Sequence, residues 1–235
     1  MRYAGGSSLF DDVPLPTPVD GSRWYAFSQW IIWHLAAWWF PLRVHGLENL
    51  PKSGGVLLVS NHASHLDPPL VACGLPRQVH FLAKEELFDH PLLALHLRNV
   101  NVHSVARGTG DRGAIKACID VLRLGHPLLI FPEGTRSEDG QLQPAQNGAA
   151  MIALMADVPI CPIHIDGTFQ AWPRGQKHIR RVPITVIIGR PYDPGLVADQ
   201  ASIGDKRVRY DAVSRDIMGR LAELAPHSTP ESPFR

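Results

Sequence analysis

The feature that most constrains the fold is a recurrence: from Gly54 to Gly189 short runs rich in Val, Ile and Leu alternate with polar turns and with stretches of helical spacing. The apolar runs predict strands over residues 56–60, 79–83, 101–105, 128–131, 160–165 and 183–189. Between the third and fourth, residues 112–124 place Ile115, Cys118, Val121 and Leu122 on one helical face, and Gly125 supplies the stop. Strand, helix, strand in sequence implies an α/β fold whose largely parallel sheet is flanked by helices. In such sheets ligands bind beyond the carboxyl ends of the strands, so the polar residues after each run are the ones to read for chemistry.

A chain of 235 residues, 45% hydrophobic, suffices for one good core, so one domain with appendages is expected. Its 23 Lys and Arg against 22 Asp and Glu give a formal charge of +1, which argues against nucleic acid as a partner. Cys73, Cys118 and Cys161 are widely spaced and flanked by apolar residues, as buried thiols in a reducing compartment would be. Residues 1–23 read as a leader, and the adjacent Asp11 and Asp12 and the prolines Pro14, Pro16 and Pro18 stand where a signal peptide needs an apolar core.

Residues 24–42 hold five of the six tryptophans and no formal charge. As a helix they would reach roughly 28 Å, close to a bilayer core. Tryptophan prefers the headgroup boundary, and Ser28, Gln29 and His34 interrupt the stretch, so a membrane-associating helical segment lying in the interface is favoured over a span. A buried core helix is the plain alternative. The folded domain is then expected over 43–225 and a disordered tail over 226–235. Cutting away residues 1–42 should leave the core folded. Near the end, Val213, Ile217, Leu221 and Leu224 form a stripe that docks a helix on the core.

The densest polar cluster, Asn61 to Pro69, follows the first strand. A hydroxyl is a poor nucleophile until its proton is removed, and an imidazole with an ordinary pKa of about 6.5 suits that task near neutrality. A carboxylate can hold the imidazole in one tautomer and stabilise the imidazolium, and His62 and Asp67 fit these roles. Asp67 before Pro68 also reads as a helix N-cap. A metal site of His62, His65 and Asp67 lacks a further ligand, so no metal is expected. The second cluster, Phe131 to Ser137, follows another apolar run; its Gly134 permits a tight turn, while Thr135 and Arg136 offer donors to an anionic headgroup. Arg107 is a third candidate, beyond the run 101–105.

These segments, in order, resemble the lysophosphatidic acid acyltransferase family of the glycerolipid acyltransferases. Asn61, His62 and Asp67 match its N-H-x-x-x-x-D motif, Phe131 to Ser137 match F-P-E-G-T-R-S without substitution, Arg107 falls on the arginine closing the second motif, and Val158 to Pro162 match a V-P-I-x-P strand. Lys84, Glu86 and Leu87 match a Lys-x-Glu-Leu element. The resemblance implies His62 and Asp67 as the catalytic pair, with Arg107, Glu133, Gly134, Thr135, Arg136 and Lys84 binding substrate. It implies acyl-CoA or an acyl carrier protein as co-substrate, no cofactor, a membrane lipid acceptor, and peripheral or monotopic attachment at the cytoplasmic face of the membrane. Two departures bear on the acceptor: Gln146 stands where many members have lysine, and Asn101 where many have glycine. Another lyso-lipid acceptor, such as a lyso-ornithine lipid, is the alternative.

Gly108 to Gly113 also spells G-x-G-x-x-G, with Glu133 lying 20 residues further on, which would suit a nicotinamide-dependent oxidoreductase. Asp111 argues against it, since its charge would face the pyrophosphate at the helix N-terminus.

Overall fold

The computed structural model describes residues 23–105, 112–202 and 204–226. The elements in chain order are α1 (Arg23–Trp39), β1 (Leu42–His45), β2 (Val56–Ser60), α2 (Asp67–Cys73), β3 (His80–Lys84), α3 (Pro91–Asn99), β4 (Val102–Val105) and α4 (Arg112–Arg123). They continue with β5 (Pro127–Ile130), α5 (Gly148–Ala156), β6 (Ile160–Asp166), α6 (Thr168–Ala171), β7 (Ile184–Ile188), α7 (Pro194–Ala201) and α8 (Lys206–Leu224). The seven strands form one sheet in the order β1-β7-β6-β2-β5-β3-β4. From β6 to β4 every pairing is parallel; β7 runs antiparallel to β6, and β1 follows β7.

Every residue of β2 is buried, because the strand lies mid-sheet with helices on both faces. Its side chains alternate between two cores. Leu58 joins Trp33, Val71, Ile163 and Val186 on the face covered by α1 and α2. Leu57 and Val59 join Cys118, Ile152, Val213 and Ile217 beneath α4, α5 and α8. The expected helical faces are present: Cys118, Val121 and Leu122 of α4 are buried, as are Val213, Ile217 and Leu221 of α8. Gly125 ends the α4 turn at a φ of 92°, in the left-handed region that glycine enters without penalty. All three cysteines are free and buried, and burial pushes the Cys73 thiol up to about 12.

The Trp-rich stretch is one helix with two faces. Tyr25, Gln29, Trp33 and Ala36 are buried against the domain, while Trp24, Phe27, Trp30, Leu35, Trp38 and Trp39 are exposed. Gln29 Nε2 donates to the carbonyls of Ala72 and Leu75 at 3.0 and 2.7 Å, and the Tyr25 hydroxyl accepts the Val79 N–H at 2.9 Å. The core-helix reading therefore describes one face, and the other face is exposed. Among the described residues no helix is long and apolar enough to cross a membrane. The boundary expected after residue 42 falls inside β1, which pairs with β7 from Leu42 onward. That strand was not anticipated from sequence. Residues 1–22 and 227–235 lie outside the described residues.

Candidate active site

Strand polarity gathers the expected residues. His62 follows β2, Glu133 follows β5, Lys84 ends β3 and Asp166 ends β6, all at one end of the sheet. Since β1 and β7 run the other way, their first residues, Leu42 and Ile184, lie at this same end.

Asn61 fixes where the chain leaves β2. Its side chain bonds the Ile165 backbone twice, Nδ2 donating to the carbonyl at 2.9 Å and Oδ1 accepting the N–H at 2.8 Å. This continues the β2–β6 ladder by one step with a side chain. His62 then stands half-buried, its Nδ1 2.8 Å from Asp67 Oδ2. Asp67 is fully buried, and the same Oδ2 accepts the N–H groups of Ala63 and Ser64, each at 2.7 Å. Asp67 is thus the first residue of α2 with its side chain turned back onto the preceding loop, and Leu66 occupies the capping position without a side-chain bond. The expectation that Asp67 caps α2 is corrected accordingly: the carboxylate organises the loop that carries the histidine. Its Oδ1 is buried without a partner among the described residues.

The Phe131–Ser137 turn holds His62 from the other side. The Phe131 ring stacks on the imidazole with centroids 4.1 Å apart and planes 21° from parallel. Ser137 N–H donates to the His62 carbonyl at 2.7 Å, and His62 N–H donates to Glu133 Oε1 at 2.8 Å. Glu133 Oε2 accepts the Gln143 N–H at 3.0 Å, so both carboxylate oxygens bind backbone. Burial raises the Glu133 carboxyl, partly offset by those two amides. Glu133 therefore serves here as a strut between the two motif loops, a task its neighbours in sequence do not reveal.

Gly134 has a φ of 73°, and a Cβ there would lie 2.4 Å from Gln146 Nε2. The positive φ favours glycine here, whereas the Gln146 amide is the mobile end of a side chain and could give way. Gln146 lies directly on the turn, its N–H donating to the Pro132 carbonyl at 2.8 Å and its Nε2 to the Glu133 carbonyl at 3.4 Å. The second departure from the family pattern has a backbone explanation: Asn101 adopts a φ of 60°, a conformation favouring glycine that asparagine tolerates. Thr135 is exposed and Arg136 partly so. Lys84 ends β3 with its backbone at the site's end of the sheet. Arg107 and most of the G-x-G-x-x-G stretch lie outside the described residues.

His65 is exposed with its ring centroid 5.6 Å from that of Trp172, and Ser64 Oγ donates to the Trp172 carbonyl at 2.8 Å. The segment following α6 is thereby tied to the histidine loop, a connection no local motif signals. A cavity beside His62 is lined by Glu133, Ser137, His164, Asp166 and Thr168. No group of three His, Cys, Asp or Glu among the described residues is arranged to hold a metal.

The class of protein these features describe is an α/β fold with an imidazole held against a buried carboxylate at the carboxyl end of its parallel strands and clamped by a second loop. A family model described as Acyltransferase matches residues 41–166, and the chain belongs to that family. It is 33% identical to the 1-acyl-sn-glycerol-3-phosphate acyltransferase of Limnanthes douglasii over 88% of this chain and 73% of that one. With the Bacillus subtilis enzyme of the same name it shares 30% identity over 78% of this chain and 87% of that one. The fold is similar to the crystal structure of the 1-acyl-sn-glycerophosphate (LPA) acyltransferase PlsC from Thermotoga maritima. That likeness has a TM-score of 0.68 and 26% identity, and covers 85% of this chain and 79% of that one.

Proposed function

We propose that this enzyme acylates lysophosphatidic acid to phosphatidic acid, using the acyl thioester of CoA or of an acyl carrier protein. The observation that carries the reading is the contact of His62 Nδ1 with Asp67 Oδ2 at 2.8 Å, in a carboxylate that also binds two backbone amides. The names of the relatives supply the acceptor.

In this reading Nδ1 keeps its proton in a hydrogen bond to Asp67 Oδ2, leaving Nε2 to act as base. Nε2 takes the proton of the acceptor hydroxyl as its oxygen bonds to the thioester carbonyl carbon. The imidazolium is stabilised by Asp67. Collapse of the tetrahedral intermediate breaks the carbon–sulfur bond, and the departing thiolate takes the proton from His62. Phe131 and the two backbone bonds to His62 keep the ring in place throughout, so little reorganisation accompanies transfer. Arg136, with Arg107, supplies positive charge for the acceptor phosphate, and Lys84 is a further candidate. Acceptor and product are both lipids, so the reading puts the work at a membrane surface, and a CoA or carrier-protein donor would meet it on the cytoplasmic face.

The test is thiol release from a labelled acyl-CoA by the purified chain, with lysophosphatidic acid, another lysophospholipid or a lyso-ornithine lipid as acceptor. Release that depends on lysophosphatidic acid, and falls by about 10²-fold or more in His62→Ala, is the expected result. Release of equal rate without acceptor, or unchanged in that variant, would overturn it.

A further inference from the structure

The cavity beside His62 has a charge pattern that the proton transfers above leave unused. It is walled by Glu133, Ser137, His164, Asp166 and Thr168, and among the described residues no lysine or arginine lines it. Asp166 is exposed and makes no ion pair among the described residues. Its charge is felt at His164, on the same face of β6. Each Glu133 oxygen accepts one backbone N–H, and a carboxylate offers about four lone-pair sites, so accepting capacity remains there too. His164 donates from Nδ1 to the Leu221 carbonyl, which leaves its Nε2 an acceptor.

A second observation points to a ligand there. Thr168 is 1% exposed, and its Oγ1 is buried without a partner among the described residues. A hydroxyl so placed costs stability unless something pairs with it. The segment carrying it is tied down on both sides of His62: the Ile165 backbone binds the Asn61 side chain, and the Trp172 carbonyl accepts from Ser64. Thr168 lies between these two ties, so its place relative to His62 is fixed.

The wall is anionic and rich in acceptors, surroundings that suit a cationic hydrogen-bond donor. No group of three His, Cys, Asp or Glu among the described residues is arranged for a metal, which leaves an ammonium as the fitting cation. The turn that carries Arg136 also forms part of the wall through Glu133 and Ser137, so a phosphate held by Arg136 stands next to the pocket. We infer that the enzyme takes a second class of acceptor, lysophospholipids whose headgroup ends in a primary ammonium, with that ammonium on Asp166, Thr168 and the remaining lone pairs of Glu133. Transfer to it rests on the function proposed above; the inference adds the headgroup chemistry. Lysophosphatidic acid has no such group, so the two acceptors share His62 and Arg136 and differ at Asp166.

The test uses the full chain with lysophosphatidic acid, lysophosphatidylethanolamine or lysophosphatidylglycerol dispersed in detergent, the last having a headgroup that ends in hydroxyls. Lysophosphatidylethanolamine should be acylated with a lower KM than lysophosphatidylglycerol. Asp166→Asn removes the charge of an exposed side chain at constant size, so it should raise the lysophosphatidylethanolamine KM by about 10-fold and leave the kinetics with lysophosphatidic acid unchanged. Thr168→Val should act in the same direction, and Thr168→Ser should stay near the parent. Equal KM values for the two phosphodiester acceptors, or an Asp166→Asn effect that is absent or the same for every acceptor, would overturn the inference. Binding is read apart from transfer by titrating sn-glycero-3-phosphoethanolamine and following backbone amide signals by NMR. Those of Ser137 and Thr168 should move in the parent and stay still in Asp166→Asn. Movement that survives in the variant, or none in the parent, overturns the pocket; movement as described without transfer to any acceptor refutes the transferase function and leaves the pocket standing.

Discussion

Glu133 Oε1 accepts the backbone N–H of His62 at 2.8 Å, across 71 residues of sequence. With the Ser137 N–H on the His62 carbonyl, the turn after β5 grips both backbone polar groups of the candidate base. The two motifs that read as separate clusters are therefore one unit.

Glu133→Gln should expose this coupling. An amide has one accepting oxygen where the carboxylate uses two, so one of the His62 and Gln143 N–H groups must lose its partner. A buried donor left unpaired costs about 1–3 kcal/mol. Urea denaturation should show a loss in that range, and kcat should fall while the acceptor KM changes little. A large KM increase with kcat preserved would instead place Glu133 on the substrate.

Asp67→Asn removes charge with little change of shape. The amide oxygen can still accept the Ala63 and Ser64 N–H groups that Oδ2 now binds, but support for the imidazolium is gone. Turnover should fall by about 10²-fold or more with the fold intact by circular dichroism. Equal losses of stability and activity would show the carboxylate to be structural only.

Arg136→Ala should raise the acceptor KM well beyond that of the donor, and lysine should rescue poorly if the guanidinium holds phosphate through two bonds. Initial rates with each substrate varied in turn separate the two. Proportional increases in both would point to a structural role.

What the sequence made legible and what it hid follow from range. His62, Asp67 and the Phe131–Ser137 turn were readable because their residue types lie together in short windows. The bond of Asn61 to Ile165, the grip of Glu133 on His62 and the tie of Ser64 to Trp172 join positions 104, 71 and 108 residues apart. No local pattern carries them. The reversal of β7 was hidden too, since a buried strand looks alike in either direction. β1 was masked because its four residues adjoin the Trp-rich run, whose composition suggested a membrane and concealed a helix with a buried polar contact.

That contact bears on the expectation that the chain folds without residues 1–42. Trp33, Ala36, Phe40 and Leu42 all belong to the core on the α1 face, and Gln29 satisfies two carbonyls at the end of α2. The truncated chain should lack a cooperative thermal transition. Gln29→Ala in the full chain should cost about 1–3 kcal/mol in urea denaturation. A sharp transition in the truncated protein would return α1 to the status of an appendage.

His164 gives a pH signature distinct from catalysis. It sits on β6, nearly buried, with Nδ1 3.1 Å from the Leu221 carbonyl of α8. Burial lowers its pKa, against the opposing charge of Asp166 and the Leu221 bond. In the unfolded chain the same imidazole titrates near about 6.5, so below that pH the unfolded state binds a proton the folded state resists. Its contribution to stability is full above the unfolded pKa and is lost as pH falls through the folded one. Burial shifts His103 in the same direction, while Glu133, raised, acts in the opposite sense within a more acidic window. The urea midpoint should therefore drop between about pH 7.5 and about pH 5. In His164→Asn, whose amide can still donate toward the Leu221 carbonyl, the midpoint should start lower but change less across that interval. An unchanged difference would assign the acid sensitivity to His103.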